Sequence, residues 1–225
     1  MNIVEPYARM LSIPGCYGPF TPAQGKLLLY HIEWSARISH RSEDKVTLDS
    51  YDRLLRSIVL QHGDWSVVEH ASVSVDFYVD RGITHEIVRH RLFAFTQEST
   101  RFVNYEKKMP PSFIRPVEVK NIPEFDVWKT SIAQAEQSYR SLVCSGISPQ
   151  IARSVFPNAL ASRIIVTGNL RNWRHFLLMR TTKETHPQMR QVTIPLLKEF
   201  QKNIPIFYED IEPLAKQSGN LQKGR

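Results

Sequence analysis

Apolar residues recur at helical spacing in several stretches of the chain, and most of these stretches carry a start or stop signal. Thr21-Pro22 pairs a cap residue with proline at the first helical position, which predicts a helix that runs toward Trp34. The next predicted helix opens at Asp49-Ser50 and ends at Gly63, and residues 35–40 are predicted to form a loop between the two. Further helices are predicted from about Phe125 to Cys144, from Ser148-Pro149 to Pro157, after Gly168-Asn169, and across Pro195.

Alternating apolar and polar side chains predict two strands. Apolar residues alternate with polar ones from Ala71 to Val79, a pattern typical of a half-buried strand. The second predicted strand runs from Ala161 to Thr167 and is rich in β-branched residues. Residues 109–123 contain four prolines, so they are predicted to be a connector with short strands at most.

The segment from Thr84 to Arg101 combines dense charge with a short apolar run. Its charged half is predicted to be a short helix from Ile83 to about His90, and the polar run from Thr96 to Arg101 is predicted to be a binding loop. Several guanidinium groups beside apolar residues need counter-charges, which favours an anionic ligand. A solvated helix face explains the same residues, because Glu86 and His90 have the four-residue spacing that lets side chains pair. The residue types alone leave both explanations open.

The composition, with 42% hydrophobic and 23% charged residues, is that of a folded globular protein, and a length of 225 residues suits one domain. No apolar run approaches the ~20 residues needed to cross a bilayer, and residues 1–18 lack a signal-peptide pattern. A cytoplasmic location without a membrane partner is therefore expected. The net charge of +7 is compatible with nucleic-acid binding, but the basic residues are spread along the chain and would equally attract nucleotides, dinucleotide cofactors and folates.

Arg89-His90-Arg91, followed after seven residues by Ser99 and then by Arg101, resembles the signature of the flavin-dependent thymidylate synthases. Other blocks resemble the same family in order and spacing. They are Ser66 with Glu69-His70, Ala152-Arg153 with Pro157, Asn169-Leu170-Arg171, His175 and Arg180. The chain departs from the family pattern at Asp64, Phe102 and Arg190, and the later His186-Pro187-Gln188 is left unassigned.

The resemblance implies an α+β fold with a small antiparallel sheet flanked by helices, in a single domain over residues 1–225 whose tail is mobile from about residue 218. It also implies a homotetramer whose subunits share each flavin site. The implied reaction is the reductive methylation of dUMP to dTMP, in which methylenetetrahydrofolate donates the one-carbon unit and NADPH supplies the hydride through FAD. Two cysteines cannot form a thiolate metal cage by themselves, and no metal is expected. No cysteine nucleophile is expected either, since neither Cys16 nor Cys144 has a basic neighbour in the sequence.

The resemblance also implies roles for individual residues. Arg180 would pair with the uracil edge and stabilise negative charge there, and Ser99 would position and polarise the substrate, because no base can be assigned to activate it as a nucleophile. The other residues expected to bind dUMP are Glu86, Arg89, Gln97, Glu98, Thr100, Arg101 and Arg153. Those expected to bind FAD are Ser66, Arg89, His90, Arg91, Gln97, Asn169, Leu170, Arg171 and His175.

Two local predictions concern packing near these residues. Asn169, Phe176 and Arg180 return to nearly the same side of a helix with 3.6 residues per turn, so they are predicted to line one face. Glu69 and His70 are predicted to be a buried pair that holds the preceding loop to the strand.

Two other functions stay open at this level. A family member that modifies another pyrimidine nucleotide, or installs a hydroxymethyl group, would carry the same blocks. A basic nucleic-acid-binding protein would bind DNA or RNA in a salt-sensitive way and hold no flavin. The chain has no recognised nucleic-acid motif, and the resemblance implies no nucleic-acid partner.

Overall fold

A computed structural model describes residues 1–11, 18–106 and 109–214 of the chain. Cys16 and the tail from residue 218, which is predicted to be mobile, lie outside these residues. The helices are α1 (Pro22–Ile38), α2 (Ser50–Leu55), α3 (Arg81–Ile87), α4 (Ile122–Cys144), α5 (Pro149–Ala152), α6 (Leu170–Arg180) and α7 (Pro187–Asn203). The strands are β1 (Asn2–Val4), β2 (Tyr7–Met10), β3 (Ser72–Asp80), β4 (Ala94–Gln97), β5 (Ser112–Ile114) and β6 (Ala161–Asn169).

Helix α1 starts where the sequence predicts and ends later. The Thr21 hydroxyl accepts a hydrogen bond from the Gln24 backbone N–H, and the Gln24 side chain accepts one from the Thr21 N–H, which completes a capping box. The loop prediction for residues 35–40 is wrong up to Ile38, because the helix continues to that residue. An ion pair of 2.7 Å between the Arg37 guanidinium and the buried Glu33 carboxylate, one helical turn apart, stabilises this last part of the helix.

The helix predicted to end at Gly63 is confirmed with one change in its winding. Helix α2 is followed without a break by a π-helical segment, Arg56–Gln61. Gly63 has a φ of +84°, a left-handed conformation that glycine adopts without steric cost. A chain reversal at this point leads into the short 3₁₀ helix Trp65–His70 and then into β3.

Strands β2, β3, β6 and β4 form one sheet in that spatial order, and its strands run antiparallel. For β3 and β6, the Leu170 N–H donates to the Ala71 carbonyl and the Arg81 N–H donates to the Leu160 carbonyl, so partner numbers fall along one strand as they rise along the other. Both predicted strands are confirmed, and β6 extends to Asn169. Strands β2 and β4 escape prediction because four residues are too few for alternation to stand out.

The chain divides into two compact units, and β3 and β6 contribute residues to both. The first unit comprises Met1–Tyr7, Phe77–Arg89 and Phe95–Ile165. The second unit comprises Ala8–Asp76, His90–Ala94 and the described part of Val166–Arg225. The single-domain organisation of residues 1–225 therefore stays a prediction.

Each unit has its own aromatic core. In the first unit, Tyr105 and Tyr139 are buried with Phe113 and Ile132, and strand β5 there pairs in parallel with β1. In the second unit, the buried rings of Trp173, Phe200 and Tyr208 follow one another, with centroid distances of 5.7 and 4.7 Å. Among the described residues, no helix is long and apolar enough to cross a membrane.

We expect Gly25→Ala to destabilise the second unit. A Cβ atom at residue 25 would overlap the backbone carbonyl of Asn203, so α1 would have to move away from the end of α7. Such overpacking costs about 1–3 kcal/mol of unfolding free energy, which urea denaturation followed by circular dichroism would measure. Lys26→Ala, at the exposed neighbouring position, is the matched control, and equal stability of the two variants would contradict the prediction.

Candidate active site

The charged segment after β3 is built from a short helix, a turn and a strand. The Asp80 carboxylate accepts a hydrogen bond of 2.9 Å from the Ile83 N–H and so caps α3. The helix ends at Ile87, so the prediction that it reaches His90 is wrong, and the helical spacing needed for a Glu86–His90 pair is not formed. Thr96 and Gln97 lie in β4, so the predicted binding loop is confined to residues 98–101.

Gln97 and Glu98, two of the predicted nucleotide-binding residues, are fixed in place by their neighbours. The Gln97 amide nitrogen donates to the hydroxyls of Thr84 and Ser162 at 3.0 and 3.1 Å. The Glu98 N–H donates to the Arg163 carbonyl at 2.8 Å, and the Glu98 carboxylate accepts a hydrogen bond of 3.0 Å from the Tyr105 hydroxyl. Burial and this carboxylate raise the pKa of Tyr105 well above its usual range, so the tyrosine stays a proton donor at neutral pH.

Arg153 meets Thr100 across a separation of 53 positions in the sequence. The Arg153 guanidinium donates a hydrogen bond of 2.6 Å to the Thr100 hydroxyl, which is almost fully buried. Arg153 lies on the 3₁₀ helix that follows α5. Helix α5 begins at Pro149 as predicted, but the Ser148 side chain makes no capping hydrogen bond. The structure thus brings together two residues that the sequence assigns to dUMP from separate blocks.

Ser99 lies in a tight turn rather than beside a base. Its hydroxyl accepts a hydrogen bond of 3.3 Å from the Arg101 N–H, and its carbonyl accepts from the Phe102 and Val103 N–H groups. Within the described residues, neither a histidine nor a carboxylate is hydrogen-bonded to the Ser99 hydroxyl. This environment fits substrate positioning better than nucleophilic attack.

The remaining predicted nucleotide-binding residues of the first unit face solvent to different degrees. Arg89 and Arg101 are exposed, and Glu86 is half-buried. The Arg101 guanidinium lies 5.5 Å from the ring centroid of Phe102, which is itself 76% exposed. No ion pair of Arg89 or Arg101 with a carboxylate is found in the parts of the chain that the structure describes.

Asn169, Leu170, Arg171 and His175, four of the predicted flavin-binding residues, lie at or on α6 in the second unit, whereas Arg89 and Gln97 belong to the first unit. The Asn169 side chain caps this helix by accepting a hydrogen bond of 2.8 Å from the Asn172 N–H. The buried Leu170 donates its N–H to the Ala71 carbonyl, and the Trp173 ring nitrogen donates to the Val73 carbonyl at 2.9 Å. These bonds fix the amino end of α6 against the start of β3. Asn169 and Leu170 therefore have structural roles in the helix start, apart from any contact with flavin.

Ser66, Glu69 and Arg171 lie together on the surface of the second unit. Ser66 and Glu69 are three residues apart on a 3₁₀ helix, so their side chains point the same way. The Glu69 carboxylate accepts a hydrogen bond of 2.6 Å from the Arg171 guanidinium. The prediction that Glu69 and His70 form a buried pair is wrong, because both residues are exposed and Glu69 instead binds an arginine 102 positions away.

His90 packs against the carboxyl half of α6. The Arg180 Nε donates a hydrogen bond of 2.9 Å to the His90 Nε2. Because a guanidinium only donates, the His90 Nε2 must act as acceptor, which places the proton of the neutral ring on Nδ1. The His90 ring centroid lies 4.8 Å from that of Phe176 and 6.4 Å from that of His175. His90 therefore contacts both a predicted flavin-binding residue and the predicted catalytic arginine.

The predicted alignment of Asn169, Phe176 and Arg180 is confirmed only for the last two, which both contact His90. Asn169 precedes the helix as its cap and bonds to Asn172 instead. Asn172 donates its side-chain amide to the Leu92 carbonyl at 3.2 Å, which ties the turn after His90 to α6. Asn172 was not identified from the sequence. The only signal was its spacing of three and four residues from His175 and Phe176, which places the three side chains on one face of a helix.

Phe93 was also missed, and it supports the turn that carries His90. Its buried ring lies 4.6 Å from the Trp173 ring, and a Cβ atom at Gly168 would overlap it. Gly168 thus lacks a side chain because Phe93 occupies that space. The short apolar run within the charged segment was the only signal for this role.

Residues 29–206 match the family model described as thymidylate synthase complementing protein. A flavin-dependent thymidylate synthase of Mycobacterium sp. (strain JLS) is 34% identical over 222 residues, covering 87% of this chain and 84% of the relative. The flavin-dependent thymidylate synthase of Pyrococcus furiosus is 30% identical over 195 residues, covering 82% of this chain and 77% of the relative.

The chain belongs to the flavin-dependent thymidylate synthase family. Its fold is similar to that of the UMP/dUMP methylase PolB from Streptomyces cacaoi, solved with 5-Br dUMP, with a TM-score of 0.72. That likeness covers 93% of this chain and 96% of the other at 21% identity, and it confirms the predicted α+β fold with a small antiparallel sheet.

The unassigned His186-Pro187-Gln188 and the departure at Arg190 both have a structural account in this member. The His186 ring accepts a hydrogen bond of 3.3 Å from the Gln188 N–H and caps α7, so the unassigned His186-Pro187-Gln188 starts a helix. Arg190 donates to the Lys183 carbonyl at 2.8 Å and closes the loop before that cap. Nothing in the structure explains Asp64 in the place of the family histidine, beyond its exposed position before the 3₁₀ helix.

We expect Gly168→Ala to displace Phe93 and to loosen the turn that carries His90. Overpacking at this contact costs about 1–3 kcal/mol of unfolding free energy. The double variant Gly168→Ala with Phe93→Leu should recover part of that loss. A double-mutant cycle in urea measures the coupling. Additive effects of the two substitutions would show that residues 93 and 168 do not compete for the same space.

Tyr208 gives the family member a pH-dependent stability at the base of α6. Its buried hydroxyl donates a hydrogen bond of 2.7 Å to the Leu170 carbonyl, and burial raises its pKa well above the usual value. This contribution to the free energy of unfolding is fully present below about pH 10 and is lost as the pH rises further, because only the unfolded state releases the proton. Tyr208→Phe should cost about 1 kcal/mol at neutral pH and flatten the decline above pH 10. Parallel stability curves for the two proteins, followed by urea denaturation, would contradict this.

Proposed function

We propose that this protein catalyses the reductive methylation of dUMP to dTMP, with methylenetetrahydrofolate as one-carbon donor and NADPH as hydride source through FAD. The observation that carries the proposal is the hydrogen bond between Arg180 and His90. The resemblance assigns Arg180 to the uracil edge and His90 to the flavin. A direct bond between the two residues supports a substrate base and a flavin held side by side, as hydride transfer requires.

The exposed polar groups of the second unit fit a dinucleotide such as FAD. The exposed Arg91 has no ion pair within the described residues, and Arg171 uses one guanidinium nitrogen for Glu69. Both cations, together with the positive amino end of α6, favour the diphosphate of such a cofactor, and Ser66 and His175 add exposed polar groups. When bound, FAD supplies the hydride chemistry that amino-acid side chains lack.

Arg180 carries the electrostatic part of the proposed mechanism. The bond from Arg180 to His90 fixes the plane of the guanidinium. The Arg180 carbonyl accepts a hydrogen bond of 2.7 Å from the Thr193 hydroxyl, which holds the last turn of α6. A guanidinium held in this way, and paired with the uracil edge, stabilises negative charge on the uracil ring. Stabilisation of this kind is worth roughly 3 kcal/mol per well-placed donor.

The residues of the first unit that the resemblance assigns to dUMP offer donors that suit a nucleotide. Arg153 and Thr100 are joined by a short hydrogen bond, while Arg89 and Arg101 present exposed guanidinium groups. Ser99, with its hydroxyl engaged by a backbone N–H, positions the substrate. The homotetramer with shared sites and the cytoplasmic location stay predictions.

Product analysis tests the proposed function. Purified protein is incubated with dUMP, methylenetetrahydrofolate, FAD and NADPH, each also omitted singly, and the products are identified by mass. We expect dTMP only in the complete mixture, and a loss of about 100-fold or more in kcat/KM for Arg180→Ala. Arg53→Ala is the matched control, since Arg53 is an exposed arginine of the same unit.

The alternatives give different outcomes in the same assay. If UMP or another pyrimidine nucleotide gives a methylated or hydroxymethylated product, the proposed substrate is wrong and the proposed flavin chemistry stands. If the protein neither binds flavin nor turns over, and binds DNA or RNA in a salt-sensitive way instead, the proposal that it is an enzyme is wrong.

A further inference from the structure

The first unit contains a cavity of about 440 Å³ beside the contact between Arg153 and Thr100. The polar residues that line it come from α3, from the turn after β4, and from the segment around α5. They are Arg81, Thr100, Gln150, Arg153, Ser154 and Asn158. Of the two arginines that line the cavity, the family resemblance assigns a role to Arg153 and none to Arg81.

The cavity is electropositive. Its lining contains two arginines and no acidic residue. The Arg153 guanidinium donates to the neutral Thr100 hydroxyl, and Arg81 has no ion pair with a carboxylate in the described stretches of the chain. Two half-buried guanidinium groups on one cavity repel each other unless an anion lies between them.

Arg81 is held at this cavity by its backbone. Its N–H donates to the carbonyls of Asn158 and Leu160 at 2.9 and 3.0 Å, and both acceptors also line the cavity. Next to it, a Cβ atom at Gly82 would come within 3.0 Å of the Asp80 carboxylate, so the backbone there is closely packed. The starting point of the Arg81 side chain is therefore fixed before any ligand arrives, which lowers the entropic cost of binding.

The donors around the cavity match a phosphate monoester. Each guanidinium offers a planar fork for two phosphate oxygens, and the hydroxyls and amides of the lining supply neutral hydrogen bonds. The cavity is also larger than a phosphate group alone and leaves room for part of a nucleoside.

The geometry points to Arg81 as a second phosphate-binding arginine, which holds the 5′-phosphate of the nucleotide substrate together with Arg153. This inference rests on the proposed function for the identity of the nucleotide. It adds a binding residue from α3 to the set that the resemblance assigns, and it makes the phosphate, rather than the base, the group that Arg81 recognises.

Binding measurements on the FAD-loaded protein test this role. Isothermal titration calorimetry gives dissociation constants for dUMP and for 2′-deoxyuridine, which lacks the phosphate, with wild-type protein, Arg81→Ala and Arg81→Lys. We expect Arg81→Ala to weaken dUMP binding by about 10-fold to 100-fold and to leave 2′-deoxyuridine binding unchanged. Arg81→Lys should recover part of the dUMP affinity, because it restores the charge without the fork.

Arg115→Ala is the control, because Arg115 is an exposed arginine of the same unit outside the cavity. Equal dUMP affinities of Arg81→Ala and Arg115→Ala would overturn the inference. An equal loss for dUMP and 2′-deoxyuridine would also overturn it, since the effect would then not depend on the phosphate.

Turnover separates this inference from the proposed function. If dTMP forms and Arg81→Ala leaves the KM for dUMP unchanged, the function stands and the phosphate role of Arg81 falls. If no dTMP forms, yet wild-type protein binds dUMP and Arg81→Ala does not, the phosphate site is upheld and the proposed reaction falls. A raised KM with an unchanged kcat supports both, because a phosphate contact binds the ground state and the transition state alike.

Discussion

The antiparallel pairing of β3 with β6 is the constraint on which both groups of candidate residues depend. In the second unit, the Leu170 N–H bonds to the Ala71 carbonyl, which sets the start of α6. In the first unit, the Arg81 N–H bonds to the Leu160 carbonyl, which sets the start of α3. Each helix begins where its strand ends, so a shift of one residue in the register would turn the side chains of both strands to the wrong face.

Three candidate arginines bond to residues that are far away in the sequence. Arg171 bonds to Glu69, Arg180 bonds to His90, and Arg153 bonds to Thr100. Each bond fixes a guanidinium, a group whose planar fork suits the anionic groups of nucleotides and dinucleotide cofactors.

Local signals predicted the helices and the two long strands well. The capping box at Thr21, the proline starts at Pro22 and Pro149, and the alternation along β3 depend on neighbours in the sequence, so they are readable without the fold. The errors in the helix predictions were at helix ends. Helix α1 continues beyond its predicted end, where the Glu33–Arg37 pair stabilises it, and α3 ends before His90. The four-residue spacing of Glu33 and Arg37 was readable in the sequence, whereas no local pattern records the end of α3.

The sequence by itself determined the family, the order of the site blocks and the residue types that carry charge, because these are properties of spacing and chemistry. Only the tertiary structure decided that Arg180 bonds to His90, that Glu69 is exposed beside Arg171, and that Phe93 takes the space left by Gly168. It also placed Arg81 on a cavity with Arg153, 72 positions later in the chain. The physical reason is that hydrogen bonds and packing act over a few ångströms in space, whatever the distance along the chain.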